Sequence, residues 1–135
     1  MRFEVHPFKD VEEARKWAEE QIDTSVGKAR SRYITTVPGQ EATYSAKYAE
    51  AKQYLLDPEP DLEQYPWIKR EAQAGGVLPQ ICAEIIKRRV DVWNFEAGPE
   101  IEAVRLAGKR GLTTQASIQQ VVNFVRAIQV ALDKI

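Results

Sequence analysis

Small and apolar residues recur near the start of the chain at Val11, Ala14, Ala18, Ile22, Val26, Ala29 and Tyr33, at spacings of three and four. Side chains so spaced share one face of a helix, and a face of this kind needs a partner. Asp10 suits the N-cap, with Glu12 and Glu13 in the first turn where the helix dipole favours negative charge. The spacing therefore predicts a helix over 10–35. Pro38 cannot sit inside a helix and Gly39 tolerates a left-handed backbone, so Thr35 to Gly39 should close it. From Gln40 to Leu56 a second helix is expected, with Ala42, Ala46, Ala49, Tyr48 and Leu55 inward. Together 10–56 reads as an αα-hairpin turning at Pro38 and Gly39.

Beyond Leu56, the acidic and Pro-rich run Asp57-Pro58-Glu59-Pro60-Asp61 predicts an extended connection. Pro66 suits the first turn of a short helix, with Tyr65 and Trp67 packing on the hairpin and Gly75-Gly76 ending it. Pro79 opens a longer helix carrying Leu78, Cys82, Ile85, Ile86, Val90 and Trp93 inward, with Lys87-Arg88-Arg89 as its solvated face. Gly98-Pro99 should stop or kink it. Ile101, Val104 and Gly108 resume the helical period as far as Gly111.

The final segment, capped by Thr113 or Thr114, places Ile118, Val121, Val125, Ile128, Leu132 and Ile135 in a strict heptad seam. β-Branched residues at both core positions favour three or four strands in a parallel coiled coil. Two alternatives stay open here: the seam joins copies of the chain, or it closes the chain's own core. At the other end, Phe3 and Val5 alternate with Arg2, Glu4 and His6, the period of a short strand. With no mate in the chain, its edge is a docking element for a second copy or another protein.

The fold class expected is thus all-α: a helical hairpin or bundle with a short N-terminal strand and a C-terminal heptad helix. The expected layout is a single domain over 1–135, with an arm at 1–9, the hairpin at 10–56, linker and helices at 57–111 and the heptad helix at 112–135. The length of 135 residues suits one domain. A net charge of −1 lacks the basic excess of a nucleic-acid or anionic-membrane binder. No stretch has the apolar length of a membrane span, and Met1 to Phe8 lacks the apolar core of a signal peptide, so assembly in the cytoplasm is expected. The one cysteine, Cys82, reads as a small buried hydrophobe and the one histidine, His6, as a surface residue. No nucleophile–base set, phosphate loop or metal-ligand spacing stands out, so neither an enzyme nor a cofactor is expected.

One set of motifs goes further. Arg30-x-Arg32-Tyr33-Ile34-Thr35, then Pro38-Gly39-Gln40-Glu41-Ala42-Thr43-Tyr44, Lys47-x-x-Glu50-Ala51, Tyr65-Pro66-Trp67, Glu71-Ala72, Ile101-Glu102, Arg105 and Ala107-Gly108-Lys109 resemble a helical module of tailed-phage tail and tail-fibre proteins. The resemblance spans roughly residues 20 to 110 and brings no catalytic residues. It implies a virion location, other tail or fibre proteins as partners, and a trimer as the favoured oligomer, since phage fibres are commonly trimeric. Three functions follow as expectations: a structural adaptor or connector of the tail, an assembly chaperone that leaves the particle, or, remotely, an enzyme.

Overall fold

A computed structural model describes residues 7–35 and 37–135. The strand expected at Phe3 and Val5 lies outside the described residues. Those that are described form an all-helical chain: α1 (Val11–Arg30), α2 (Gln40–Leu56), α3 (Pro66–Gly75), α4 (Pro79–Val92), α5 (Gly98–Leu112) and α6 (Ile118–Asp133). A 3-10 turn at Leu62–Gln64 precedes α3, and a π-helical segment at Trp93–Ala97 lies between α4 and α5. No described helix is long and apolar enough to cross a membrane.

Where one domain is expected, the helices sort into two compact units, residues 1–34 with 97–135 and residues 35–96. In the first, α1, α5 and α6 pack on one another; in the second, α2, α3 and α4 do. The hairpin over 10–56 is therefore not the packing unit, because its two helices belong to different units. Each helix finds its apolar partners later in the sequence rather than across the turn.

In the first unit the expected face of α1 is the buried one: Ala14, Ala18, Ile22, Val26 and Ala29 are all inaccessible or nearly so. Asp10 caps this helix by accepting from Glu13 N at 2.9 Å, and Glu13 Oε2 accepts from Lys9 N at 2.9 Å. The helix ends at Arg30, short of the expected 35, and two residues just beyond it, Arg32 and Tyr33, tie down the end of α6. Arg32 Nη2 donates to the Leu132 carbonyl at 2.6 Å and the Tyr33 hydroxyl to that of Ile135. The opposing walls are Ile101 and Leu112 from α5 and Val121, Val122, Val125 and Leu132 from α6. Full burial of each such side chain contributes about 1.5–3 kcal/mol. Close approach is possible because Gly108 has no side chain: a Cβ there would meet Ile22 Cδ1 at 3.3 Å.

The second unit is built around Ala51, Tyr65, Ile68, Ala72, Cys82, Ala83 and Ile86. The inward face of α2 differs from the expected one: Ala42 and Ala49 are exposed, whereas Glu50 and Ala51 are buried. Burial of Glu50 has a local cause. Tyr65 offers α3 no side-chain cap, and Glu50 Oε2 reaches over from α2 to accept from Trp67 N at 2.8 Å and Ile68 N at 3.3 Å. Of the two aromatics around Pro66, only Tyr65 packs inward, edge-on to Tyr54 with ring centroids 5.1 Å apart; Trp67 stays largely exposed. At its other end α3 stops on Gly76 at φ 64, with Val77 N donating back to the Ala72 carbonyl at 3.1 Å, a Schellman closure. Gly39, at φ 87, is the N-cap of α2, so this turn does need a glycine.

Gly98-Pro99 interrupts the α-helix as expected: the α-helical run stops at Val92, and the turn before Gly98 widens to π-helical hydrogen bonding over Trp93–Ala97. Pro99 has no N–H to donate to residue 95, and a wider turn relieves the clash of its ring with that carbonyl. The cap of α6 is Ser117, which accepts from Gln120 N at 3.1 Å, not Thr113 or Thr114. Those two hydroxyls donate instead to the Arg110 and Gly111 carbonyls and finish α5.

Candidate functional site

The seam Ile118, Val121, Val125, Ile128, Leu132 and Ile135 lies on α6, where Val121, Val125 and Leu132 are buried against α1 and α5. Ile118, Ile128 and Ile135 are half-buried at its edge. Of the two alternatives, the seam here closes the chain's own core. Its side chains are taken up within the first unit, so pairing of copies through it would require that unit to open. Pro38 and Gly39 shape the turn before α2, where the Tyr44 hydroxyl accepts from Thr35 N at 2.9 Å; the Thr35 side chain first, and this backbone bond second, draw the hydroxyl below its ordinary pKa.

A different apolar surface faces outward. Among the described residues, eight of the ten large hydrophobics that are exposed fall between residues 37 and 95. Three of them, Leu78 (67% exposed), Ile81 (44%) and Ile85 (41%), line up on α4 at spacings of three and four. The same spacing continues to Arg88 and Val92. This helix thus has two apolar faces. Cys82, Ala83 and Ile86 fill the core of their unit, while Leu78, Ile81 and Ile85 form a second stripe. Sequence reasoning merged the two, counting Leu78 and Ile85 as inward. The signal was present: Leu78, Ile81, Ile85 and Val92 keep a heptad period distinct from that of Cys82 and Ile86.

At its C-terminal end the stripe runs into an open groove of about 630 Å³ between α4 and α2. Arg88, Val92 and Phe95 form one wall and Tyr48, Lys52 and Leu55 the other. Phe95, in the π-helical turn, is 73% exposed. The groove's polar end is locked. Asp91 accepts from the Tyr48 hydroxyl at 2.5 Å and from Lys87 Nζ at 2.6 Å. These bonds hold the Asp91 carboxyl below its usual range, mainly through Lys87, and push the Tyr48 hydroxyl and the Lys87 ammonium above theirs. Each group is thereby held in its ordinary protonation state. Lys52 Nζ lies 4.4 Å from the Tyr48 ring centroid, a cation–π contact.

Cys82 and Glu50 each have partners within the second unit. Cys82 is buried with Sγ 3.6 Å from Glu71 Oε2, and burial followed by that carboxylate pushes its thiol up, away from reactivity. Glu71 in turn pairs with Lys47 at 2.6 Å. Glu50 has one oxygen on the α3 N-terminus and the other, Oε1, buried without a partner; burial raises its pKa against the lowering by the two backbone N–H groups. Among the described residues no group of His, Cys, Asp and Glu could hold a metal ion. The motif residues are spread over both units as framework: Arg30 and Arg105 pair with Glu102, Lys47 with Glu71, and Ala51, Ala72 and Ile101 are core. No protein-family model, curated protein or solved structure matches the chain.

Proposed function

We propose that this chain is a non-enzymatic structural component of a bacteriophage tail, a helical-bundle adaptor associated with fibre or baseplate proteins. The observation that carries the reading is the outward apolar stripe of α4 with its adjoining groove. Contiguous exposed apolar surface rimmed by polar residues marks a protein-binding face. The tail assignment itself rests on the motif resemblance. Its residues serve as core, caps and ion pairs, so what they would share with tail modules is a fold on which different contacts are carried.

A tail or fibre assembly chaperone is the second reading, favoured by the same exposed stripe, which would hold a client polypeptide until assembly covers it. Mass spectrometry of purified particles separates the two. Fixed stoichiometry with known tail proteins supports the adaptor; presence in infected-cell lysate but not in particles supports the chaperone. Absence from both particles and tail-protein complexes overturns the tail assignment.

A further inference from the structure

The stripe on α4 is apolar at Leu78, Ile81, Ile85 and Val92, yet the position between the last two is Arg88. A heptad seam with a single charge at one core position reads out its partner, because a guanidinium enclosed between helices requires an acceptor. Arg88 is exposed and makes no ion pair among the described residues. The neighbouring cation Lys87 is already neutralised by Asp91 at 2.6 Å. On the facing wall of the groove, Lys52 rests on the Tyr48 ring.

We propose that this seam is the docking surface for one amphipathic helix of another protein, which presents apolar residues to Leu78, Ile81, Ile85 and Val92 and a carboxylate to Arg88. From residue 78 to residue 95 the surface extends about 26 Å at 1.5 Å per residue, enough for roughly five turns of partner helix. At the far end the partner's apolar side chain enters between Leu55, Val92 and Phe95, where Lys52 offers a second cation beside it. Glu84 and Glu96 also line the groove. The formal charges of the lining cancel, Lys52, Lys87 and Arg88 against Glu84, Asp91 and Glu96, yet none of these carboxylates forms an ion pair with Arg88 among the described residues, so specificity comes from the placement of Arg88 within the apolar row rather than from net charge.

A second copy of the chain fits less well. Two α4 helices paired in parallel would set Arg88 against Arg88, and an antiparallel pair would set it against Ile85, an apolar layer with no acceptor. Both arrangements bury a charge without compensation. A foreign helix with Glu or Asp at that layer removes the conflict.

The inference rests on the adaptor reading for its biological setting, but its test does not depend on any virion. Two synthetic helical peptides with Leu and Ile at the heptad core positions would be titrated against the full chain, one with Glu and one with Lys at the layer facing Arg88. Binding by fluorescence anisotropy should favour the Glu peptide by at least tenfold. Arg88→Glu should reverse that preference, and Ile85→Asp should abolish binding of both peptides. The side chains altered are exposed, so far-UV circular dichroism and the thermal midpoint should stay unchanged in both variants. Equal binding of the two peptides, or a preference unchanged by Arg88→Glu, overturns the proposal. So does a wild-type chain whose mass doubles on concentration and returns to monomer with Ile85→Asp, which would identify the occupant as a second copy. Failure in particle mass spectrometry, by contrast, removes the tail assignment and leaves this binding untouched.

Discussion

The ring of Phe124 on α6 occupies the space that any side chain at Gly111 on α5 would need, since a Cβ built at Gly111 would fall 2.8 Å from Phe124 Cε2 and closer still to Cζ. Real Cβ atoms do not approach carbon so closely, so the absence of a side chain at residue 111 sets how near these helices can lie.

Gly111→Ala should therefore destabilise the first unit by about 1–3 kcal/mol, the usual cost of overpacking. Gly27, inside α1 and exposed, is the internal control: a Cβ there meets nothing within 4 Å. Gly27→Ala should stabilise by about 0.5–1 kcal/mol through helix propensity alone. Thermal melts of the two variants should move in opposite directions, and Phe124→Leu added to Gly111→Ala should recover part of the loss. Equal shifts of the same sign would mean that the ring swings aside at no cost.

Val125 is 1% exposed at the centre of the α6 seam. Val125→Glu places an unpaired carboxylate where α6 packs on α1 and α5, at a cost of several kcal/mol. Circular dichroism should register loss of helix with no earlier change in mass by light scattering. A fall in mass with helix retained would instead assign the seam to an interface between copies.

Gly39→Val tests the turn before α2. At φ 87 the backbone there is one that β-branched residues avoid, and a Cβ would meet nothing nearby, so the penalty is conformational only. A loss on the order of 1 kcal/mol or more is expected in a denaturant or thermal melt; an unchanged midpoint would show that the turn relaxes freely.

Glu50 makes a prediction whose sign follows from its raised pKa. Burial favours the neutral carboxyl in the folded chain, so Glu50 contributes stability below its unfolded pKa that is lost as pH rises through the higher folded value. Glu50→Gln keeps an acceptor for Trp67 N and Ile68 N without the charge. The variant should match or exceed wild type near pH 7, with the gap narrowing toward about pH 4, near the ordinary carboxyl range. Glu50→Ala loses the cap and should cost about 0.5–2 kcal/mol. Paired melts across that range check both; a gap that widens on acidification reverses the assigned shift.

Legibility in the sequence tracked how locally each feature is determined. The α1 face was readable because small residues hold one helical stripe and Asp10 marks its start, and α6 because its apolar positions keep one unbroken period. The α2 face was not, because its deepest polar residue is a glutamate that serves another helix, and nothing within 40–56 announces that. Thr113 and Thr114 look like caps for α6, but their hydroxyls close α5 three residues back. The candidate surface was missed for a related reason. The apolar residues of α4 read as one buried face because the period of Leu78, Ile81, Ile85 and Val92 runs beside that of Cys82 and Ile86, and packing shows which of the two is covered.

The first unit is assembled from two stretches of chain, 1–34 and 97–135, separated by a second unit made of one continuous stretch. During synthesis this fixes an order of events. Residues 35–96 have all their packing partners as soon as they emerge, whereas α1 must wait for α5 and α6. Once the intervening residues have folded, the effective loop that α1 has to close is shorter than the extended count, and loop entropy falls with its logarithm, about 0.6 kcal/mol for each halving. Pulse-labelling hydrogen exchange during refolding should accordingly protect amides of α2 to α4 before those of α1; the reverse order would mean that the discontinuous unit nucleates first. If that order holds, the time at which residues 35–96 fold sets the time at which the two stretches of the first unit can meet.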